Sequence, residues 1–173
     1  MREQLVFTFV GNDKPGLVEQ LSTTVVDGGG NWEASHLAHM AGKFAGIVKV
    51  SADKGAIDAL CSELQALEPL GFNITIERTT HVEGSPETYH RDLSILGNDR
   101  PGIVLEISKA LAARQINIGE FSSHITSAPM AGIPLFEAML DIAIPSDIAL
   151  DELNDCLEEI ANNLDLEINI ENQ

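Results

Sequence analysis

One eight-residue stretch occurs twice in the chain. Gly11-Asn12-Asp13-Lys14-Pro15-Gly16-Leu17-Val18 returns as Gly97-Asn98-Asp99-Arg100-Pro101-Gly102-Ile103-Val104, a shift of 86 residues (97 − 11). The register extends on both sides. Phe7, Phe9 and Val10 correspond to Leu93, Ile95 and Leu96; Leu17, Val18, Leu21 and Val25 to Ile103, Val104, Ile107 and Leu111; and Asn31 to Asn117. A repeat that keeps both its special backbone residues and its apolar spacing means that one structural unit is used twice. The expectation for a chain of 173 residues is therefore two small domains of about 85 residues each. Residues 1–80 form the first, 81–88 the linker and 89–173 the second. The linker holds the polar, punctuated run His81-Val82-Glu83-Gly84-Ser85-Pro86.

In the first copy, residues 5–10 are an apolar run closed by Gly11, which predicts a buried strand. Asp13 and Pro15 predict a helix start, with a side-chain acceptor near the N-cap and a proline in the first turn. Leu17, Val18, Leu21 and Val25 share one helical face, and Gly28-Gly29-Gly30 stops the helix. Residues 31–41 and 44–52 predict a hairpin turning near Gly42-Lys43, although their alternation is imperfect. Ile57, Leu60, Leu64 and Leu67 mark a second helix that ends near Pro69-Leu70-Gly71. Phe72, Ile74 and Ile76 then alternate with polar residues as a closing strand.

The order β-α-β-β-α-β predicts an α+β fold class of two ferredoxin-like units, each an antiparallel sheet with both helices on one face. The second copy repeats it with a strand at 89–96, a helix at 102–114 and a second helix marked by Leu150, Leu153, Leu157, Ile160 and Leu164. Leu166, Ile168 and Ile170 close it. Around the hairpin of its second and third strands it gains about six residues, including Ala128-Pro129 and Ile133-Pro134. That addition predicts a stiff protruding loop of the kind that carries contacts.

Charge removes several function classes. The chain has 27 acidic and 10 basic residues, a net charge of −17. Residues 1–86 hold 11 acids and 6 bases (−5), and residues 87–173 hold 16 and 4 (−12). Nucleic-acid affinity rests on Lys and Arg neutralising phosphates. With no basic patch, direct nucleic-acid binding is not expected, and any role in gene regulation would act through another protein. No apolar run reaches membrane-span length and no signal peptide precedes the first strand, so no membrane partner and a cytoplasmic location are expected. Cys61 and Cys156 fall on apolar helical patterns and are expected to be buried free thiols.

Other constellations fail. His36 and His39 would point to opposite faces of a strand, and the five histidines make no zinc set. The segment 11–16 lacks the Lys-Ser/Thr of a phosphate loop, and no Ser/His/Asp or Cys/His signature occurs. No metal, no cofactor and no enzymatic activity are expected. Asp151-Glu152 and Glu158-Glu159 read as a solvated helix face.

The repeated motif can carry chemistry of its own. A helix N-terminus exposes unpaired N–H groups and partial positive charge, which suit a carboxylate. Gly16 and Gly102 permit close approach. The carboxylate of Asp13 or Asp99 accepts from an ammonium group. Asn31 and Asn117, expected near the first strand, offer both a donor and an acceptor. These are the parts that a free amino acid needs. They are equally the parts of a simple turn and helix cap, and both readings stand at this point.

The motif Gly-Asn-Asp-(Lys/Arg)-Pro-Gly-(Leu/Ile)-Val, followed by Asn 18 residues after the Asp (31 − 13) inside a βαββαβ unit, resembles the ACT domain family. That family consists of small regulatory modules that bind amino acids, usually where two such domains meet. The resemblance covers essentially the whole chain. It implies ligand contacts from Asn12, Asp13, Gly16 and Asn31 in the first copy, and from Asn98, Asp99, Gly102 and Asn117 in the second. It implies a small amino acid as ligand, glycine foremost, a transcription activator protein as partner, and a homodimer. Some family members carry a histidine where this chain has Gly11 and Gly97, or an asparagine where it has Asp13 and Asp99, differences that bear on ligand choice. Two alternatives remain: an interaction module without ligand, and a small enzyme on the same fold. An acylphosphatase-like reaction would want an arginine cradle, and Arg100 has only Lys14 as its counterpart.

Overall fold

The structure, a computed structural model, describes residues 2–79, 87–127 and 132–171. The chain divides into two compact units, Met1–Glu83 and Gly84–Gln173. The linker run 81–86 and the Ala128-Pro129 portion of the longer hairpin lie outside the described residues.

The first unit runs β1 (Arg2–Asn12), α1 (Leu17–Asp27), β2 (Gly30–Met40), β3 (Lys43–Asp53), α2 (Ile57–Gln65), a short 3-10 turn (Glu68–Leu70) and β4 (Phe72–Thr79). Its sheet has the order β2-β3-β1-β4, with every neighbouring pair antiparallel. The second unit repeats this with β5 (Thr88–Asn98), α3 (Ile103–Ala112), β6 (Asn117–Ser127), β7 (Pro134–Pro145), α4 (Leu150–Leu164) and β8 (Leu166–Glu171), in the order β6-β7-β5-β8. The ferredoxin-like α+β unit is present twice.

Each unit has its own core. In the first, the period of two along β1 sends Leu5, Phe7 and Phe9 inward, onto the Leu17/Leu21/Val25 face of α1 and the Ile57/Leu60/Leu64 face of α2. This core is aromatic. The Phe7 ring lies edge-on to Trp32 at 6.3 Å, and Phe9 meets Phe44 at 5.8 Å and Phe72 at 6.2 Å. The second core is mainly aliphatic, built on Leu93, Ile95, Ile107, Leu111, Leu140 and Ile142 against Leu153, Leu157 and Ile160.

Several local expectations are corrected. No side chain caps α1 or α3. Their N-caps are Gly16 (φ 89°) and Gly102 (φ 98°), both left-handed, and the two prolines lie in the turn ahead of the helix. The main chain of Asp13 is seated on the hairpin, its backbone N–H donating to Gly42 O at 3.0 Å. The imperfect alternation of the hairpins has a physical cause: the register of β2 shifts between Trp32 and Ala34, and that of β6 between Ile118 and Glu120. One residue in each, Glu33 and Gly119, is therefore extra, a β-bulge. Leu67 is buried but lies past the end of α2, leading into the 3-10 turn.

Cys156 is buried, which pushes its thiol pKa up, whereas Cys61 is only half-buried. The acids of α4 are exposed as expected. No helix among the described residues is long and apolar enough to cross a membrane. Among the same residues, no group of three or more His, Cys, Asp and Glu side chains could hold a metal ion.

Candidate functional site

Each unit passes from its first strand to its first helix through a corner at one end of the sheet. In the first, Asp13 N–H donates to Gly42 O, and in the second, Asp99 N–H donates to Pro134 O, both at 3.0 Å. The corner is thereby seated on the neighbouring hairpin. The positive φ of Gly16 and Gly102 is what requires glycine there. Nothing crowds either site: a Cβ at Gly16 would be 4.0 Å from Glu19 Oε2, and one at Gly102 would be 3.7 Å from Glu106 Oε1. The first helical hydrogen bonds are Gln20 N–H to Gly16 O and Glu106 N–H to Gly102 O, each 2.9 Å. The amides of Leu17, Val18 and Glu19, and of Ile103, Val104 and Leu105, precede them and carry the partial positive charge of a helix start.

The first corner is open. A depression of about 370 Å³ is lined by Asp13, Lys14, Gly16, Glu19 and Phe44, with Leu17 and Val18, which is room for a free amino acid. Both signs of charge stand around it, with the carboxylates of Asp13 and Glu19 in its lining. Lys43 Nζ donates to Asn12 Oδ1 at 2.5 Å, His39 Nε2 lies 3.5 Å from Asp13 Oδ2, and Lys14 is on its rim.

The second corner differs in its charges. By ladder position Leu135 stands where the first unit has Lys43, and Ile125 where it has His39. Arg100 Nη2 donates to Glu106 Oε2 at 2.6 Å and reaches Leu164 O at 3.4 Å. The matching residue to Glu106 in the first unit is Gln20, and the first-turn carboxylate of α1 is instead Glu19, which lines the depression with Lys14. At Gly97 a Cβ would lie 2.3 Å from Leu166 Cδ2, whereas at Gly11 the nearest atom is Gly71 O at 3.4 Å. A side chain at this position in the second unit would require Leu166 to move.

The Arg100 guanidinium holds the Glu106 carboxyl below the usual carboxylate range, first through its hydrogen bond and then through its charge. The sign of the linkage follows. A depressed folded pKa means that the tie is present above the unfolded value and is lost as pH falls through the folded one. In a carboxyl-detected NMR titration, Glu106 should titrate below its own midpoint in the unfolded chain. Arg100→Ala should move it upward, and an unmoved midpoint would refute the tie.

Asn31 is not where the sequence suggested. The sheet order places β2 beside β3, with β1 on the far side of β3. β1 and β2 therefore run parallel, and their starts share one end of the sheet. Asn31 pairs with Ser51, which pairs with Gln4; Met40 pairs with Lys43, which pairs with Asn12. Asn31 is thus eight rows from Asn12 (12 − 4), about 27 Å. Asn117 has the same relation to Asn98, through Ala143 and His90.

The structure gathers Asn12, Asp13 and Gly16 at one corner and Asn98, Asp99 and Gly102 at the other. It leaves Asn31 and Asn117 at the opposite ends of their own sheets. Asn117 lines a separate open depression of about 670 Å³ with Glu87, Gln115, Ser146 and Asp147. Sequence reasoning missed His39, Lys43 and Phe44 at the first corner, because only the hairpin register brings them there.

Comparisons with known proteins agree with this architecture. The ACT domain family model matches residues 3–76, within the first unit. A UPF0237 protein of Methanococcus maripaludis is 32% identical over 82 residues, 47% of this chain and 84% of its own length. A crystal structure of a Galdieria sulphuraria protein, described there as unknown, is 30% identical with a TM-score of 0.85, covering 99% of this chain and 98% of its own. A protein described provisionally as a glycine cleavage system transcriptional repressor matches with a TM-score of 0.74 and 20% identity, covering 99% and 97%, a likeness of fold. A family model on the first unit, relatives of this identity across most of their own lengths, and one βαββαβ unit built twice lead to one conclusion: the chain belongs to the ACT domain family.

Proposed function

We propose that this protein is an amino-acid-responsive regulator, not an enzyme, which represses the glycine cleavage system by contacting a DNA-binding activator rather than DNA. Its two domains are residues 1–80 and 89–173, joined through 81–88, and it acts in the cytoplasm as a homodimer. The observation that carries the reading is the open first corner. There the amides of Leu17, Val18 and Glu19 offer donors to a ligand carboxylate, Lys14 adds positive charge, and Asp13 accepts from an ammonium group.

Glycine fits because every contact is to the backbone-like part of the ligand. Asp99 and Gly102 form the matching corner of the second unit, but Arg100 is already tied to Glu106 and the flanking positions are apolar. The first corner is therefore the principal site. Asn31 and Asn117 stand at the far ends of their own sheets, so the ligand contacts of the first corner rest on Asn12, Asp13 and Gly16. The description of the structural neighbour as a glycine cleavage system repressor supports the choice of system. The excess of acids, −17 overall, suits a basic protein partner and repels nucleic acid. Ligand switches the protein only through different affinities for two of its arrangements.

Calorimetry of the full chain against glycine, alanine, serine and larger amino acids tests this. Glycine should bind, and Asp13→Ala should weaken it about tenfold or more through loss of a charged hydrogen bond, while Asp99→Ala should leave it nearly unchanged. Absence of heat with every amino acid would leave a ligand-free interaction module instead.

A further inference from the structure

The outward face of the second sheet has a charge pattern that the fold does not require. Leu93, Ile95, Leu140 and Ile142 point into the core, so their strand neighbours point out. The ladder places Glu120 opposite Asp141, Asp141 opposite Asp92, and Asp92 opposite Glu171. That is one row of carboxylates crossing all four strands. Like charges directly opposite on neighbouring strands destabilise a sheet. His90, whose Nδ1 is 2.9 Å from Asp141 Oδ1, offsets part of this.

Two rows away come Glu137, Leu96 and Glu167, with His124 Nε2 3.1 Å from Glu137 Oε2. The row between holds Ser122, Met139, Ser94 and Asn169. Met139 is 49% exposed and Leu96 36%. The surface dips here into a groove of about 300 Å³ that both side chains line, together with Glu137 and Glu167.

The corresponding face of the first sheet serves as an internal comparison. Its rows are Ala38, Ala45, Val10 and Asn73; His36, Ile47, Thr8 and Thr75; and Ala34, Lys49, Val6 and Glu77. Two carboxylates stand on that face, Glu77 and the bulge residue Glu33 beside Lys49, against six on the second sheet. The acidity belongs to this sheet and not to the ACT fold.

We propose that the open face of the second sheet docks a cationic surface of a partner protein. Lysine and arginine side chains of the partner meet the carboxylate rows, and an apolar side chain seats between Leu96 and Met139. Complementary charge around a small apolar centre is the ordinary anatomy of a specific interface. The carboxylate row spans about 14 Å, three strand spacings, too wide for one small ammonium ligand to satisfy. A second copy of this chain would bring acid against acid, and nucleic acid would be repelled. The proposal gives the partner contact a place and does not depend on amino-acid binding at the first corner.

The test is NMR of the full chain titrated with a synthetic lysine–leucine helical peptide. Amide shifts should concentrate on β5–β8 around Leu96, Ser122, Met139 and Asn169, and affinity should fall as salt is raised. The double variant Glu137→Gln/Glu167→Gln, folded by circular dichroism, should bind about tenfold more weakly. Met139→Gln should also weaken binding while leaving the sedimentation coefficient unchanged. Shifts centred elsewhere, equal binding of a leucine-free lysine peptide, or a variant of unaltered affinity would each overturn the proposal. A change of oligomeric state in Met139→Gln would assign the face to a second copy instead. Glycine calorimetry reads the amino-acid site separately, so the two readings fail independently.

Discussion

Phe7→Ala should unfold the first unit at temperatures where the second stays folded. Phe7 is fully buried in the middle of β1, edge-on to Trp32 and 6.4 Å from the Phe9 ring. Truncating a buried phenylalanine costs about 3–5 kcal/mol, because the cavity left behind collapses only in part. That is a large share of what a small domain has available. The chain supplies its own reporters, since its single tryptophan, Trp32, packs on the first core and its single tyrosine, Tyr89, on the second. The melting midpoint read by Trp32 fluorescence should fall by more than about 10 °C. The two cores share no residue, so the transition followed through Tyr89 should keep its position. A variant whose Trp32 midpoint hardly moves would show that the aromatic cluster is not what holds this unit.

Gly46→Ala should destabilise the same unit by about 1–3 kcal/mol through overpacking. A Cβ at this position would lie 2.3 Å from Leu37 Cδ2, 2.8 Å from His36 O and 3.1 Å from Phe9 Cε1. Leu37 and Phe9 can shift; the carbonyl, held in the sheet ladder, cannot. The second unit solves the same volume problem differently. Its counterpart of Gly46 is Ala138, flanked by Ser123 and Ile95 where the first unit has Leu37 and Phe9. Small strand residue and large neighbour, or the reverse, fill one space. Leu37→Ser in the Gly46→Ala background should therefore cost less than the two single losses added together, because residues in contact couple. Urea unfolding followed at Trp32 reads this directly, and strict additivity would remove the explanation.

Much of the architecture was legible because it rests on periodicity and on glycine. The repeat gave the number of units, the apolar spacing gave the helices, and the glycine pairs gave the corners. What was hidden depends on neighbours that sequence does not order. In a βαββαβ unit the first two strands run parallel, so Asn31 at the start of β2 and Asp13 past the end of β1, which a linear reading brings together, sit at opposite ends of the sheet. The residue before the helix was read as an ordinary polar cap, but Asp13 is held by the hairpin and Gly16 takes the cap. His39 and Lys43 enter the corner through strand register. The acidic rows on the second sheet were invisible for the same reason: Glu120 lines up with Asp141 only after the extra residue Gly119 is counted.

The irregularity in β2 and β6 has one more consequence. Both strands are outermost in their sheets, and a regular outermost strand is a template on which another chain can crystallise its own backbone, adding rung after rung. An inserted residue spoils the spacing of that template and twists it away. In β2 the inserted residue is Glu33, whose carboxylate lies 3.4 Å from Lys49 Nζ and 3.2 Å from Gln4 Nε2, pinned by its own sheet rather than offered to a stranger. What looks like a flaw in the weave is a safeguard against fibre growth, and a chain relieved of it would gain straighter strands at the expense of its solubility.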